Sequence, residues 1–459
     1  MKRHLILAAA ISLLPHLASA QSTPIPQPTA DQLAAAGLSQ YPLAPLAQRV
    51  DLAAPPFTNS TTINNPLFPI SQLHSAVLNG KVDGQAFRVE TQLLPETQII
   101  EWPPGQQIRV LVSQYLAFSN GRIEEVAIDL YAQADDGSVW YLGEDVYNYV
   151  DGVVEDTLGT WRAGKDGPAA MIMPDSPAVG DAFWPENIVG LVFEEVVVTE
   201  VNQTVAGPRG PVTGAIVTRE LHADGTTESK TFAPGYGEFS TGSGANVEAI
   251  AVAIPADALT VPLPADLDLI LNRGDAMFDT IGSRSWTATS ASLREANGAW
   301  TRLQATGTVP PRLVEPVTTA LSQLGRAART KDYRRGMQAA LALQQAGLDI
   351  LLQYRSVLEI NLNRFSLWLD QVELDARYRN ARGLRGDAST LEWLRDRVVP
   401  SFHPTHRTRV DTLLVALRVA ANDENFRACA RIANDLDEAL EVAAVRLPFG
   451  LPIAEPSNP

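Results

Sequence analysis

The chain has 459 residues and a formal net charge of −16, because 52 acidic side chains outnumber 36 basic ones. This balance disfavours nucleic acid and anionic membrane surfaces as partners. The single cysteine, Cys429, excludes an intramolecular disulfide, and a chain of this length is typical of two domains.

The first 20 residues have the pattern of a secretory signal peptide. Lys2 and Arg3 precede an apolar stretch that ends at Pro15, and the small residues 18–20 fit the cleavage rule. We therefore expect cleavage after Ala20 and a periplasmic or secreted mature chain. No later segment reaches about 18 uninterrupted apolar residues, so no membrane span is predicted. Residues 21–56, rich in proline and alanine, are predicted to be a largely irregular lead-in with a short helix near Asp31–Gly37.

Residues 57–258 have the pattern of an antiparallel β domain. Asn-Gly and Asp-Gly dipeptides, which accept the positive φ angles of hairpin turns, separate alternating or β-branched runs. These dipeptides are Asn79-Gly80, Asp83-Gly84, Asn120-Gly121, Asp136-Gly137, Asp151-Gly152, Asp166-Gly167 and Asp224-Gly225. The predicted strands are Gln107–Ala117, Arg122–Gln133, Ser138–Gly143, Leu191–Val201, Ala215–Leu221, Glu228–Phe232 and Val247–Ile254. Their close succession predicts a meander, and the spacing leaves open whether it forms a sandwich or an open barrel.

Residues 259–447 change to helical periodicity and are predicted to form an antiparallel all-α bundle, because the connections are short. Candidate helices are Ala265–Ile281, Ser285–Gln304, Glu315–Arg329, Arg334–Tyr354, Leu358–Asn380, Thr390–Val398, Arg407–Ala421 and Asn425–Val445. Leu358–Asn380 is apolar on two faces and should therefore be central. Pro316 is expected to open the third helix, since proline is tolerated in a first turn. Residues 448–459 are predicted to be an irregular tail.

Several short motifs of the β half occur in a recognisable order. They are Asn65–Ile70 (NPLFPI), Asp136–Asp145 (DGSVWYLGED), Trp161–Gly167 (WRAGKDG), Met171–Pro174 (MIMP), Gly180-Asp181 and Ala233–Gly237 (APGYG). Over residues 60–255 this series resembles a β-rich domain of uncharacterised secreted bacterial proteins and lipoproteins. The resemblance implies an extracytoplasmic β domain without an assigned activity. The chain departs from the lipoprotein members because it has no anchoring cysteine, and the helical half suggests no family.

The densest cluster of chemically useful side chains consists of Trp140, Tyr141, Glu144, Asp145 and Trp161. Aromatic rings beside carboxylates suit a sugar, a polyamine or another cationic group, through stacking and charge. We therefore predict that these residues bind a ligand. The alternative is core packing, with both tryptophans buried and the carboxylates at the rim of the sheet.

His403 and His406, on either side of Pro404-Thr405, are the candidate metal ligands. A zinc or copper site would need further ligands from elsewhere in the chain. The alternative is a loop in which Thr405 caps the next helix. The common zinc-protease, covalent-haem, serine-nucleophile and phosphate-binding motifs do not occur, so the sequence predicts neither catalytic residues nor a cofactor.

The predicted central helix also carries many polar residues. They include Glu359, Asn361, Asn363, Arg364, Asp370, Glu373 and Asp375. Exposed salt bridges, such as Glu373 with Arg377 four residues later, would account for them. The alternative is a buried polar network or a small-ligand pocket inside the bundle.

The sequence therefore predicts an extracytoplasmic, non-enzymatic binding or scaffold protein. The β domain would bind a small ligand or an envelope component, and the helical bundle would dock a partner. The alternative function is a carboxylate-based hydrolase that acts on an envelope or extracellular substrate, although adjacent pairs such as Glu144 and Asp145 do not face each other across a cleft. A purely structural role is the third hypothesis.

Overall fold

The computed structural model describes residues 22–254, 257–259 and 261–444, in which a β part precedes an α part. The α+β architecture expected from the change in hydrophobic period is confirmed. The predicted signal peptide and the predicted tail of residues 448–459 lie outside the described residues.

Sixteen strands occur in the described part of the chain. They are β1 (Thr23–Pro24), β2 (Ala53–Ala54), β3 (Ser75–Val82), β4 (Gln85–Glu101), β5 (Gln107–Ser119), β6 (Arg122–Gln133), β7 (Val139–Val150), β8 (Val153–Asp156), β9 (Trp161–Arg162), β10 (Ala170–Met173), β11 (Ala182–Ile188), β12 (Val192–Gly207), β13 (Gly210–His222), β14 (Thr227–Ala233), β15 (Gly237–Ser243) and β16 (Asn246–Ile254). Strands β1 and β2 pair with each other, and the other fourteen belong to one antiparallel sheet.

The large sheet is a meander, as predicted, in which the pairing of β3 with β16 joins two halves. Its order is β10-β7-β6-β5-β4-β3-β16-β15-β14-β13-β12-β11, and β8 and β9 also pair with β7. The sheet curls so that its two ends come together. Met173 of β10 and Phe183 of β11, which lie at opposite ends of this order, share a hydrophobic core with Trp140. No ladder joins β10 to β11 in the described residues. The sheet is therefore an open barrel rather than two packed sheets.

Three of the predicted hairpin turns have a positive φ at both residues, as a type I′ turn requires. They are Asp83-Gly84, Asn120-Gly121 and Asp151-Gly152. The prediction of a turn at Asn79-Gly80 is wrong, because both residues lie within β3. A Cβ atom at Gly80 would collide with the carbonyl oxygen of Val247, so this glycine permits close approach of β3 to β16.

The lead-in is more ordered than its composition predicts. It contains α1 (Ala30–Ala35) and reaches the barrel at β11. Arg49 forms a buried ion pair with Asp51 at 2.6 Å, and its guanidinium lies 3.7 Å from the ring centroid of Trp184. Asp51 also accepts the backbone N–H of Trp184 at 2.9 Å. These contacts cover an edge strand that would otherwise be open to pairing.

Eight longer helices follow the barrel in the described residues. They are α2 (Ala265–Gly282), α3 (Trp286–Ala305), α4 (Pro311–Thr330), α5 (Tyr333–Leu351), α6 (Val357–Arg377), α7 (Ala381–Val398), α8 (Pro404–Asn422) and α9 (Phe426–Ala444). The prediction that Pro316 opens a helix is wrong. The N–H of Leu313 already donates to the carbonyl of Pro310 at 2.9 Å, so α4 begins a turn earlier and Pro316 lies inside it.

Helix α6 is central, as its two apolar faces predict. Phe365 and Val372 pack in a hydrophobic cluster with α7, α8 and α9. Ile360 and Leu374, on the other face, pack with α2 to α5. The helical part therefore consists of two groups that share α6.

Both helix groups pack on the outer face of the barrel. Val77 of β3 and Val252 of β16 belong to the cluster of α2 to α5. Leu116 of β5 and Val126 of β6 belong to the cluster of α6 to α9. The β and α parts therefore share continuous hydrophobic cores, and the strands beneath the helices are covered on both faces.

Candidate functional site

The interior of the barrel contains two of the predicted ligand-binding residues, Tyr141 and Glu144. Strands β6 and β7 pair so that Asp129 lies opposite Glu144. The hydroxyl of Tyr141 donates to Asp129 Oδ1 at 2.6 Å, and the ring of Tyr131 stacks on Tyr141 at a centroid distance of 4.8 Å. Aromatic rings and carboxyl groups therefore meet on the inner surface, and all four side chains are buried.

Carboxyl groups from seven strands collect in this interior. Their charges act on one another across the barrel, Asp129 of β6 on Glu238 of β15 and Glu144 of β7 on Glu186 of β11. Such pairs are distant in the strand order and meet only because the sheet curls. We call the following eight residues the interior carboxyl groups: Glu125, Asp129, Glu144, Glu186, Glu194, Glu220, Glu238 and Glu248.

One lysine lies among these groups. Lys230 of β14 approaches Glu220 at 3.0 Å and Glu238 at 3.9 Å. It therefore compensates a small part of the negative charge that the interior carboxyl groups would carry if all were ionised.

Burial shifts the protonation of the interior carboxyl groups. Removal from water, reinforced by neighbouring carboxylates, raises the pKa of Asp129 to about 7 and that of Glu248 to about 8. The same causes raise the pKa of Glu144 well above its ordinary value. Glu220 behaves differently: burial opposes its ionisation, but Lys230 and a hydrogen bond with Glu194 together outweigh burial and lower its pKa. Several of these groups are thus protonated near neutral pH.

A cavity of about 120 Å³ opens among these side chains. Asp129 and Glu238 line it together with the rings of Tyr115, Tyr131 and Tyr236. Beside it, Glu248 is only 7% exposed, and its Oε2 atom has no hydrogen-bond partner in the described part of the chain. A buried acceptor without a donor is costly, so this interior is incomplete as a hydrogen-bonded structure.

None of the five predicted ligand-binding residues lines the cavity itself. Trp140 and Trp161 are 0% exposed, which matches the core-packing alternative and leaves neither ring a free face. Trp140 Nε1 donates to Ser138 Oγ at 2.8 Å. Asp145 is only partly buried and pairs with Arg162 at 2.6 Å.

The two histidines lie far from the barrel interior, at the start of α8. His403 is the N-cap residue, and its Nδ1 accepts the N–H of Thr405 at 3.4 Å, so the helix is capped by the histidine rather than by Thr405. The ring of His406 lies 6.3 Å from that of His403. Among the described residues, no three His, Cys, Asp or Glu side chains are grouped so that they could hold a metal ion.

Sequence reasoning missed most of the interior carboxyl groups for a physical reason. In β6 the apolar residues alternate with polar ones, which normally indicates one buried face and one solvated face. Here Val126 faces the helices, while Glu125 and Asp129 face the barrel interior. The sequence shows the alternation of apolar and polar residues in β6, but it does not show that the polar face is also covered.

A second polar cluster ties the barrel to the helices. Arg88 on β4 forms ion pairs with Glu90 at 2.8 Å and with Asp349 on α5. Arg364 on α6 lies 3.0 Å from Asp349, and Arg397 on α7 lies 2.7 Å from Glu90. The polar residues of α6 thus include buried network members, while Glu373 and Arg377 form the predicted exposed bridge at 2.7 Å.

No protein-family model and no curated protein matches this chain. The helices of the described residues include none whose length and apolar character would allow it to cross a membrane.

Proposed function

We propose that this chain is an exported, non-enzymatic binding protein whose β barrel holds a small organic cation, such as a polyamine. The observation that carries the proposal is the excess of interior carboxyl groups over the single lysine beside them. Residues 1–20, with their signal-peptide pattern, support the export.

Charge and shape both favour a cationic ligand. Carboxyl groups buried without partners either hold a proton or need a cation, because an isolated buried charge is very unfavourable. A ligand ammonium in the cavity would donate to Asp129 and Glu238, close to Glu248, and the tyrosine rings that line the cavity would attract its positive charge. An anionic ligand would meet only repulsion in this interior. That the helical part docks a partner stays a prediction.

The proposal is tested by thermal unfolding in the presence of putrescine, a four-carbon diamine. We expect putrescine to raise the midpoint, since a ligand at about 100 times its Kd adds about 2.7 kcal/mol. Uncharged 1,4-butanediol, of similar length, should leave it unchanged. Glu248→Gln should weaken the putrescine effect, whereas Glu200→Gln, which removes an exposed carboxylate from the outer part of β12, should preserve it.

Two results would count against cation binding in the barrel. One is a midpoint that putrescine, spermidine and agmatine all fail to raise. The other is an equal response of the Glu248→Gln and Glu200→Gln proteins, which would locate the effect on the general acidic surface.

The hydrolase alternative has one observation in its favour. Asp129, whose pKa burial raises to about 7, lines the cavity together with Glu238, and general acid–base catalysis needs a carboxyl group whose pKa lies near the working pH. Turnover of a glycoside or ester that Asp129→Asn abolishes, with folding intact, would favour it. Binding of putrescine without any turnover would favour the binding protein.

A further inference from the structure

Outside the barrel interior, a large cleft lies between one part of the sheet and the helices α4 to α6. Its volume is about 940 Å³, which is within the range of small-molecule sites. One wall consists of the ends of β3, β4 and β5 with their turns, and the opposite wall consists of α4, α5 and α6.

Positive charge is concentrated at one end of this cleft. The side chain of Asn79 accepts from Arg88, and its carbonyl accepts from Arg312 Nη1 at 3.4 Å. Lys81 lies two residues further along β3 and therefore on the same face. Among the described residues, neither Lys81 nor Arg312 has a carboxylate within ion-pair distance. In a chain of net charge −16, two such cations facing one cleft need an explanation.

The acidic residues of the cleft do not cancel this charge. Glu90 and Asp349 are buried in the floor, and each already pairs with two or more arginines. Glu315 is exposed at the mouth. Behind the floor, Arg364 and Arg397 add positive charge, so three arginines there face two carboxylates.

The start of α4 points its partial positive charge at the same place. Pro311, Arg312 and Glu315 of its first turns line the cleft, and no side chain caps this helix end. Pro311 has no N–H, and the N–H of Leu313 donates to Pro310, so this helix end favours an anion mainly through its dipole. Burial lowers the pKa of Arg312, which is the effect expected for a guanidinium that loses water without gaining a carboxylate.

The remaining lining is aromatic and amide in character. Trp368 of α6 stacks on Phe118 of β5 at a centroid distance of 5.6 Å, and both residues line the cleft. Two amide side chains line the same cleft. Gln338 Nε2 of α5 donates to Gln371 Oε1 of α6 at 3.0 Å. A flat apolar body would pack against the rings while the amides contact its polar edge.

We propose that this cleft binds an aromatic carboxylate, with its carboxylate between Lys81 and Arg312 and its ring against Phe118 and Trp368. This site is separate from the barrel cavity and takes a ligand of the opposite charge. Its success or failure is therefore independent of the proposed cation binding.

The test is isothermal titration of the purified protein with 2-naphthoate. We expect a Kd below about 1 mM, and binding at least about tenfold weaker for the uncharged 2-naphthalenemethanol. The double variant Lys81→Glu/Arg312→Glu should weaken naphthoate binding by about tenfold or more. A matched control, Arg326→Glu/Arg329→Glu, changes the net charge equally on exposed residues of α4 outside the cleft and should leave the Kd unchanged.

Three results would overturn the proposal. They are no naphthoate binding at millimolar concentration, equal binding of naphthoate and 2-naphthalenemethanol, and equal weakening by the two double variants. All four substituted residues are exposed, so both variants should fold, and thermal unfolding without ligand verifies this. Glu248→Gln, in the barrel, should not alter naphthoate binding.

Discussion

Glu90 illustrates how the molecule accommodates charge between its two parts. The residue lies on β4, on the face that the helices cover, and three arginines surround it. Burial alone would raise the pKa of Glu90, but Arg364, Arg88 and Arg397 together hold it well below its usual range. The carboxylate is therefore ionised in the folded protein and is needed to balance the arginines.

Removal of this one charge should be strongly destabilising. Glu90→Gln leaves three buried guanidinium groups with a single carboxylate, and breaking a buried ion pair costs about 3–5 kcal/mol. Urea denaturation should show a loss of that size in the free energy of unfolding. Glu373→Gln, which removes the exposed bridge to Arg377, should cost no more than about 0.5 kcal/mol. Similar losses for the two variants would show that the buried network contributes no more than a surface pair.

At the scale of elements, the pairing of β3 with β16 is the contact that makes one barrel from two halves. Gly80 lies at this contact, opposite Glu248 in the register of the two strands. The dipeptide Asn79-Gly80 predicts a turn by composition, yet the glycine serves the close approach of two strands. Sequence cannot separate these two uses of glycine, since both require only a missing side chain.

Gly80→Ala should therefore destabilise the barrel. Its Cβ would meet the backbone of β16, which cannot move aside as a flexible side chain can, and we expect a loss of about 2 kcal/mol or more in the free energy of unfolding. Gly325→Ala in α4 is the matched control. Its Cβ finds ordinary contact distances, so this variant should gain up to about 1 kcal/mol. A neutral Gly80→Ala, measured by the same urea titration, would contradict the proposed role of this residue.

The period of the hydrophobic residues predicted the helices well where propensity agreed with it. Helix α6 was predicted within a few residues because both apolar seams are regular. Helix α7 begins at Ala381, well before the predicted Thr390. Gly383 and Gly386 weaken the helical pattern there. The helix starts where Asn380 Oδ1 accepts the N–H of Gly383 at 3.2 Å, and periodicity does not reveal such a cap.

At the scale of the whole molecule, the curling of the sheet creates the candidate site. Asp129 and Glu248 lie more than a hundred residues apart in the sequence, yet both are within electrostatic range of Glu238, because β6 and β16 curve around one interior. The pattern of aromatic and acidic residues around Trp140 indicated β7, one of the strands that contribute carboxyl groups to this interior. It could not indicate which side chains face inward, because the helices cover the surface that a single barrel would expose to water.

In the proposed function, a bound cation replaces protons that the interior carboxyl groups hold. Near neutral pH, Asp129, with a pKa raised to about 7, is about half protonated, and Glu248, with a pKa raised to about 8, is mostly protonated. A bound cation favours their ionised forms and lowers these pKa values, so binding should release protons. For the same reason the affinity for the cation should increase as the pH rises through this range.

The most direct test is the number of protons exchanged when putrescine binds, obtained by isothermal titration near pH 7 in buffers of different ionisation enthalpy. We expect a net release of protons. The Glu248→Gln substitution should reduce this release, and the Glu200→Gln substitution should leave it unchanged. Binding without proton release, or with proton uptake, would contradict this expectation.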